Sequence, residues 1–244
     1  LTDRLGNALL ATGLQPGDRV GVLLPNGIDC LVAYYALAKS GLVRVSLNTR
    51  DTPDNQRYKL EVSGCRGVIC GDAEDVPDLE YCFRESALPA MIAHTPATPC
   101  AVDRDLEAPY RLGYTGGTTG RPKAVTLTMR GEGAELSAFL TDLVPGIGEG
   151  DTFLHAAPIA HASGAFFLPA LVRGARSLVM KKFDPERFIA LAAAEKASMT
   201  FLVPTMLAMV LEEASCADAG MAFTRIAYGA SPIAESLLRR AEAR

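Results

Sequence analysis

Between Arg19 and Leu47 the sequence sets an apolar run, a helical stretch and a second apolar run one after another, with a turn-forming group at each junction. Arg19 to Leu24 reads as a strand, Pro25-Asn26-Gly27 breaks it, Ile28 to Lys39 has helical character, and Gly41 precedes a second extended run from Leu42 to Leu47. A connection of that length is too long for a hairpin and suits the crossover between parallel strands. The second half repeats the pattern. Ser177 to Met180 is a predicted strand, Asp184-Pro185-Glu186 caps a helix running to about Ala197, and Met199 to Val203 is a strand closed by Pro204. Thr205 to Ala214 reads as helix, Thr224 to Tyr228 as strand and Ala234 to Arg244 as an amphipathic helix. The implied class is α/β, with mostly parallel sheets flanked by helices.

The intervening segments are less regular. Leu5, Leu9 and Leu10 mark the apolar face of an opening helix, stopped by Gly13 and Pro16-Gly17-Asp18. Gly67 to Cys70 is a short strand, and Gly71 to Pro109 reads as irregular connection with at most a short helix. Ala124 to Thr128 is a β-branched strand, Ala134 to Leu143 a helix and Asp151 to Ala157 a strand.

Composition narrows the functions open to such a chain. With 244 residues, 49% of them hydrophobic, it can bury a large core. A formal charge of -4 gives no broad basic surface, so sequence-independent binding to nucleic acid or an anionic membrane is not expected. Six scattered cysteines form no Cys-x-x-Cys pair and have only three histidines for company, which leaves a zinc cluster unsupported and fits a reducing, cytoplasmic setting. The most apolar windows are Cys30 to Val45, interrupted by Lys39 and Arg44, and Ala162 to Val172, too short for the ~30 Å of a bilayer core. Neither predicts a membrane span.

The chemistry concentrates in Thr115-Gly116-Gly117-Thr118-Thr119-Gly120-Arg121-Pro122-Lys123, where three glycines, three threonine hydroxyls and two cations share nine residues. Glycines let backbone N–H groups approach an anion closely, and hydroxyls and cations add donors and countercharge. A polyphosphate matches that set; a plain glycine-rich hairpin between two strands is the competing reading. The order of residues is neither a Walker loop nor Gly-x-Gly-x-x-Gly.

The run from Leu112 through Lys123 resembles the signature of adenylate-forming enzymes, the acyl-CoA synthetases, peptide-synthetase adenylation domains and luciferases. It departs from the family pattern at Gly116, where serine is common, and at Ala124, where glycine is usual. The resemblance extends along the chain: Gly13 to Val20 and Leu42 to Arg50 look like the opening of an acyl-CoA synthetase. Ala157-Pro158-Ile159-Ala160-His161 is similar to the family's Pro-x-x-His step, and Tyr228-Gly229-Ala230-Ser231-Pro232 to its adenine-binding strand and turn.

The resemblance implies the large N-terminal domain of the acyl-CoA synthetase-like fold, with residues 1–244 as an incomplete AMP-binding domain. It implies that Thr115, Gly116, Gly117, Thr118, Thr119, Gly120 and Lys123 close over the β- and γ-phosphates of ATP, with Thr118 and Lys123 as the loop's catalytic side chains. Gly229, Ala230, Ser231 and Pro232 would lie against adenine. His161 would border the carboxylate pocket or, alternatively, pack as an ordinary histidine in an apolar loop; His155 and His94 match no motif and are expected to be structural or exposed. Lys123 would serve phosphate and not as the family's main catalytic lysine, which belongs to a C-terminal domain expected to be missing here, together with the magnesium-holding glutamate and the ribose-binding aspartate.

The implied reaction is attack of a carboxylate oxygen on the α-phosphorus of ATP, with Mg2+, giving acyl-adenylate and pyrophosphate, then acyl transfer to coenzyme A. Positioning and charge neutralisation would supply most of the rate. A chain ending at Arg244 is expected to be impaired in the full reaction and to self-associate or rely on a missing remainder, because an interrupted sheet exposes apolar surface and strand edges. Two alternatives stand beside it. One is a non-catalytic nucleotide-binding or assembly module; the other is an amino-acid adenylation domain serving a carrier protein, which the absence of an aspartate from Ala157 to Phe167 disfavours. The acid itself is not legible, although Phe166, Phe167 and Leu168 offer an apolar stretch that serves equally as core.

Overall fold

The computed structural model describes residues 1–100, 102–115, 121–213 and 220–243, in two compact units divided after Ala134. In the first unit, α1 (Thr2–Ala11) precedes β1 (Arg19–Leu23), α2 (Ile28–Lys39), β2 (Val43–Ser46), α3 (Pro53–Val62) and β3 (Cys65–Cys70). Then come β4 (Tyr81–Arg84), α4 (Leu88–His94), β5 (Pro109–Thr115), β6 (Lys123–Thr128) and the start of α5 (Met129–Ala138). The strands form one sheet in the order β4-β3-β1-β2-β5-β6, parallel throughout except for the antiparallel pair β5 and β6.

One face of this sheet is closed by Leu23, Val43, Val45, Leu47, Val68 and Leu112 packed around Leu60 of α3. Gly21 makes that contact possible, since a Cβ there would overlap the Leu60 side chain and press on Leu47 and Val68 at 3.3 Å. The start of α3 follows local chemistry: the Thr52 hydroxyl accepts from the Asn55 N–H at 3.4 Å and Pro53 occupies the first turn.

The second unit holds β7 (Thr152–His155), a 3-10 turn at Ala162–Phe166, α6 (Phe167–Val172), β8 (Arg176–Val179), α7 (Pro185–Ala194), β9 (Met199–Leu202), α8 (Pro204–Glu212), β10 (Arg225–Tyr228) and α9 (Glu235–Glu242). Its sheet runs β10-β9-β7-β8, all parallel. Phe153, Phe166 and Phe201 stack in its core, with Leu154, Phe188, Ile189 and Leu202 around them. Asp184 accepts from the Arg187 N–H at 2.8 Å, capping α7 as its Asp-Pro start implies.

The α/β class with mostly parallel sheets holds, and most elements fall where the sequence places them. The stretch from Gly71 to Pro109 holds the short helix it was read to allow, the seven-residue α4, and the main correction there is β4, a strand that was not expected. As an edge strand, β4 buries only Phe83 and shows no apolar alternation. Helix α5 begins at Met129 rather than Ala134, and Phe139–Leu143 continue it as a π-helical turn. Helix α7 stops at Ala194 instead of about Ala197, because Lys196 takes a left-handed φ of 51° that ends the helical path.

Candidate nucleotide-binding site

In a parallel sheet, the loops that leave the carboxyl ends of the strands share one edge, and ligands favour that edge where the strand order reverses. In the first unit β1 has β2 on one side and β3 on the other, so the reversal lies at its centre. The segments leaving β2, Asn48 to Thr52, and β5, Thr115 onward, share this edge. The glycine-rich run therefore leaves the carboxyl end of a strand and returns along β6. The strands on either side of it, β5 and β6, pair antiparallel, with Thr115 and Lys123 as their last facing pair. An antiparallel strand pair and phosphate chemistry are compatible, so the two readings of this segment do not exclude one another.

Thr115 and Lys123 are both exposed, and the Thr115 hydroxyl reaches the Lys123 carbonyl at 3.5 Å, the limit of a hydrogen bond. Gly116, Gly117, Thr118, Thr119 and Gly120 lie outside the described residues. Beneath Thr115, Tyr114 is firmly held. Its phenol donates to the Lys59 carbonyl at 2.9 Å and lies 2.6 Å from the Ser63 hydroxyl.

Lys59 is buried and pairs with Asp51 at 2.5 Å, its ammonium lying 5.1 Å from the Tyr114 ring centre. Gln56 donates to the Asn48 and Asp51 carbonyls at 3.3 and 3.2 Å, fixing the loop after β2. Sequence patterning passed over this group, since Gln56 and Lys59 are polar residues that α3 buries. The Thr52-Pro53 pair was the available signal for the helix that carries them.

In the second unit the strand order reverses at β7, whose carboxyl end leads into Ala156 to His161. There the His161 N–H donates to the Pro158 carbonyl at 3.1 Å and its carbonyl accepts from Gly164 at 2.9 Å. Gly164 is required by this turn, because a Cβ would collide with the Ile159 carbonyl. His161 is exposed, which is at odds with a packed core histidine.

His155 is the packed one. It is fully buried, its Nε2 lies 3.3 Å from the Ser177 hydroxyl, and its ring sits between Phe153 and Phe167 at 4.5 and 5.4 Å. Burial pushes it down to about 4, opposed by the backbone of Ser163, so it is neutral at pH 7. His94 is exposed, with Nδ1 2.7 Å from the Ala90 carbonyl.

At the same carboxyl edge, β10 leads into Gly229, Ala230, Ser231 and Pro232, of which all but the half-buried Gly229 are exposed. Ala230 holds a φ of 70°, a left-handed conformation that costs an L-residue with a Cβ roughly 1–2 kcal/mol. The turn is thus backbone held in a shape its side chain does not favour. The candidate site segments leave the carboxyl ends of β2 and β5 in the first sheet and of β7 and β10 in the second. Among the described residues no group of three or more His, Cys, Asp or Glu could hold a metal ion.

The family described as AMP-binding enzyme matches residues 1–244. Long-chain-fatty-acid–CoA ligase FadD13 of Mycobacterium tuberculosis is 26% identical over 98% of this chain and 50% of its own length. Feruloyl-CoA synthase of an Amycolatopsis species is 31% identical over 97% of this chain and 49% of its own. The N-terminal domain of FACL13 from Mycobacterium tuberculosis, in an inhibitor-bound crystal structure, aligns with a TM-score of 0.91 at 25% identity, covering 99% of this chain and 64% of that one. The chain spans about half the length of the curated relatives it matches. With its glycine-rich motif following a strand of the parallel sheet and the family match running its whole length, the chain belongs to the AMP-binding enzyme family.

Proposed function

We propose that this chain supplies the ATP-binding part of an acid–thiol ligase, which activates a carboxylic acid as its adenylate and passes the acyl group to coenzyme A. The observation that carries the reading is the Thr115–Lys123 segment, leaving the carboxyl edge of a parallel sheet from a strand anchored through Tyr114. A polyanion is neutralised there by backbone N–H groups, threonine hydroxyls and Lys123, with Thr118 and Lys123 touching the phosphates. Gly229, Ala230, Ser231 and Pro232 take the adenine base, whose flat face suits an exposed, preformed turn. His161, exposed on the turn that Gly164 permits, borders the incoming carboxylate.

The relatives named above act, by name, on long-chain fatty acids and on ferulate, which supports an acid with a sizeable apolar body. Coenzyme A as acceptor follows the same names. Mg2+ would enter with ATP and neutralise part of the charge on its phosphates. The free cysteines Cys30, Cys65, Cys70, Cys82 and Cys100 accord with a cytoplasmic setting.

Titration with stable acyl-sulfamoyl mimics of an acyl-adenylate tests the proposal. An acid-activating site binds them more tightly than AMP, with an affinity that depends on the acyl group. Equal affinity for AMP and every mimic would remove acid activation and leave a nucleotide-binding module.

A further inference from the structure

Helix α3 touches both described ends of the glycine-rich segment. On the entry side, its Lys59 carbonyl and the Ser63 that follows the helix hold the Tyr114 phenol at 2.9 and 2.6 Å. On the exit side, the Arg121 guanidinium lies 4.9 Å from the ring centre of Tyr58. Tyr58 and Lys59 are adjacent, so one turn of helix reaches both described ends of a loop whose flanking strands are joined by the β5–β6 ladder. The helix is itself fixed from three directions: by the Thr52 cap, by the Lys59–Asp51 ion pair, and by Leu60 seated over Gly21. Gln56 adds two hydrogen bonds to the loop after β2.

We propose that α3 is a clamp for the phosphate loop, with Tyr58, Lys59 and Ser63 as positioning residues acting through Arg121 and Tyr114. Anion binding by backbone N–H groups depends on those groups being aimed before the ligand arrives, and a preorganised donor set binds more tightly than one ordered by its ligand. The α3 contacts fix where the loop starts and where it ends, at Tyr114 and Arg121. Only the functional consequence rests on the nucleotide reading of the loop; the clamp itself is a statement about residues 109–128.

Hydrogen exchange and Mg-ATP titration of the 244-residue chain and its Tyr58→Ala, Tyr58→Phe and Tyr114→Phe variants test it. Exchange over 109–128 should accelerate in Tyr58→Ala and Tyr114→Phe while strand 65–70 exchanges as in the parent. Mg-ATP should bind about threefold more weakly to Tyr58→Ala, the size of one exposed cation–π contact. Tyr58→Phe, which keeps the ring, should restore both parent values. Unchanged exchange over 109–128, or equal acceleration over 65–70, would overturn the clamp, as would parent-like Mg-ATP affinity in all variants of a chain that binds it. A parent chain that binds no Mg-ATP, with acceleration still confined to 109–128, would keep the clamp and remove the nucleotide reading.

Discussion

His155 shows how a single buried side chain makes stability depend on pH. Its folded-state value of about 4 lies below the ordinary 6.5, so between those limits the unfolded chain takes up a proton that the folded chain refuses. The associated stability is complete above pH 6.5 and is lost as pH falls toward 4, amounting to about 2 kcal/mol by pH 5. Thermal melting at pH 7 and pH 5 should therefore show a drop that shrinks in His155→Phe; an equal drop in both would remove His155 as its source. Ala230 makes the opposite case. Its left-handed φ is strained for alanine, so Ala230→Gly should raise stability by about 1 kcal/mol, and a lower melting temperature would contradict that strain. At this scale the glycine-rich segment was legible, because its chemistry sits in consecutive residues. The Asp51, Lys59 and Tyr114 group was not, since it exists only once β2, α3 and β5 are packed together.

Among the elements, those with clean periodicity were read correctly from sequence. Helix α2 falls on Ile28–Lys39 as expected, and β1, β2, β9 and β10 lie within a residue or so of their predicted ends. Helix α3 escaped notice because Leu60 is the one apolar residue among the three it buries. The 3-10 turn and α6 were missed for another reason: Pro169 sits buried inside α6, and proline in an apolar stretch reads as a break. The packing of α3 on β1 is testable at Gly21. Gly21→Ala places a methyl against Leu60, and overpacking of this kind costs about 1–3 kcal/mol. Denaturant unfolding should show that loss; a neutral result would mean that α3 shifts away without penalty.

At the scale of the whole molecule, the fold class and the family were both accessible from sequence, since five motif segments occur in order and each leaves or adjoins a strand. Grouping the strands into a six-stranded and a four-stranded sheet was not accessible, because periodicity marks a strand without naming its neighbour.

The most direct test of the central claim is isothermal titration of the chain with Mg-ATP, repeated on Thr118→Ala. Binding by the parent that weakens about tenfold or more in the variant, as loss of a hydrogen bond to a charged group implies, is the result expected of a phosphate site at residues 115–123. A folded parent chain that does not bind Mg-ATP, or binds it unchanged after the substitution, would contradict the account.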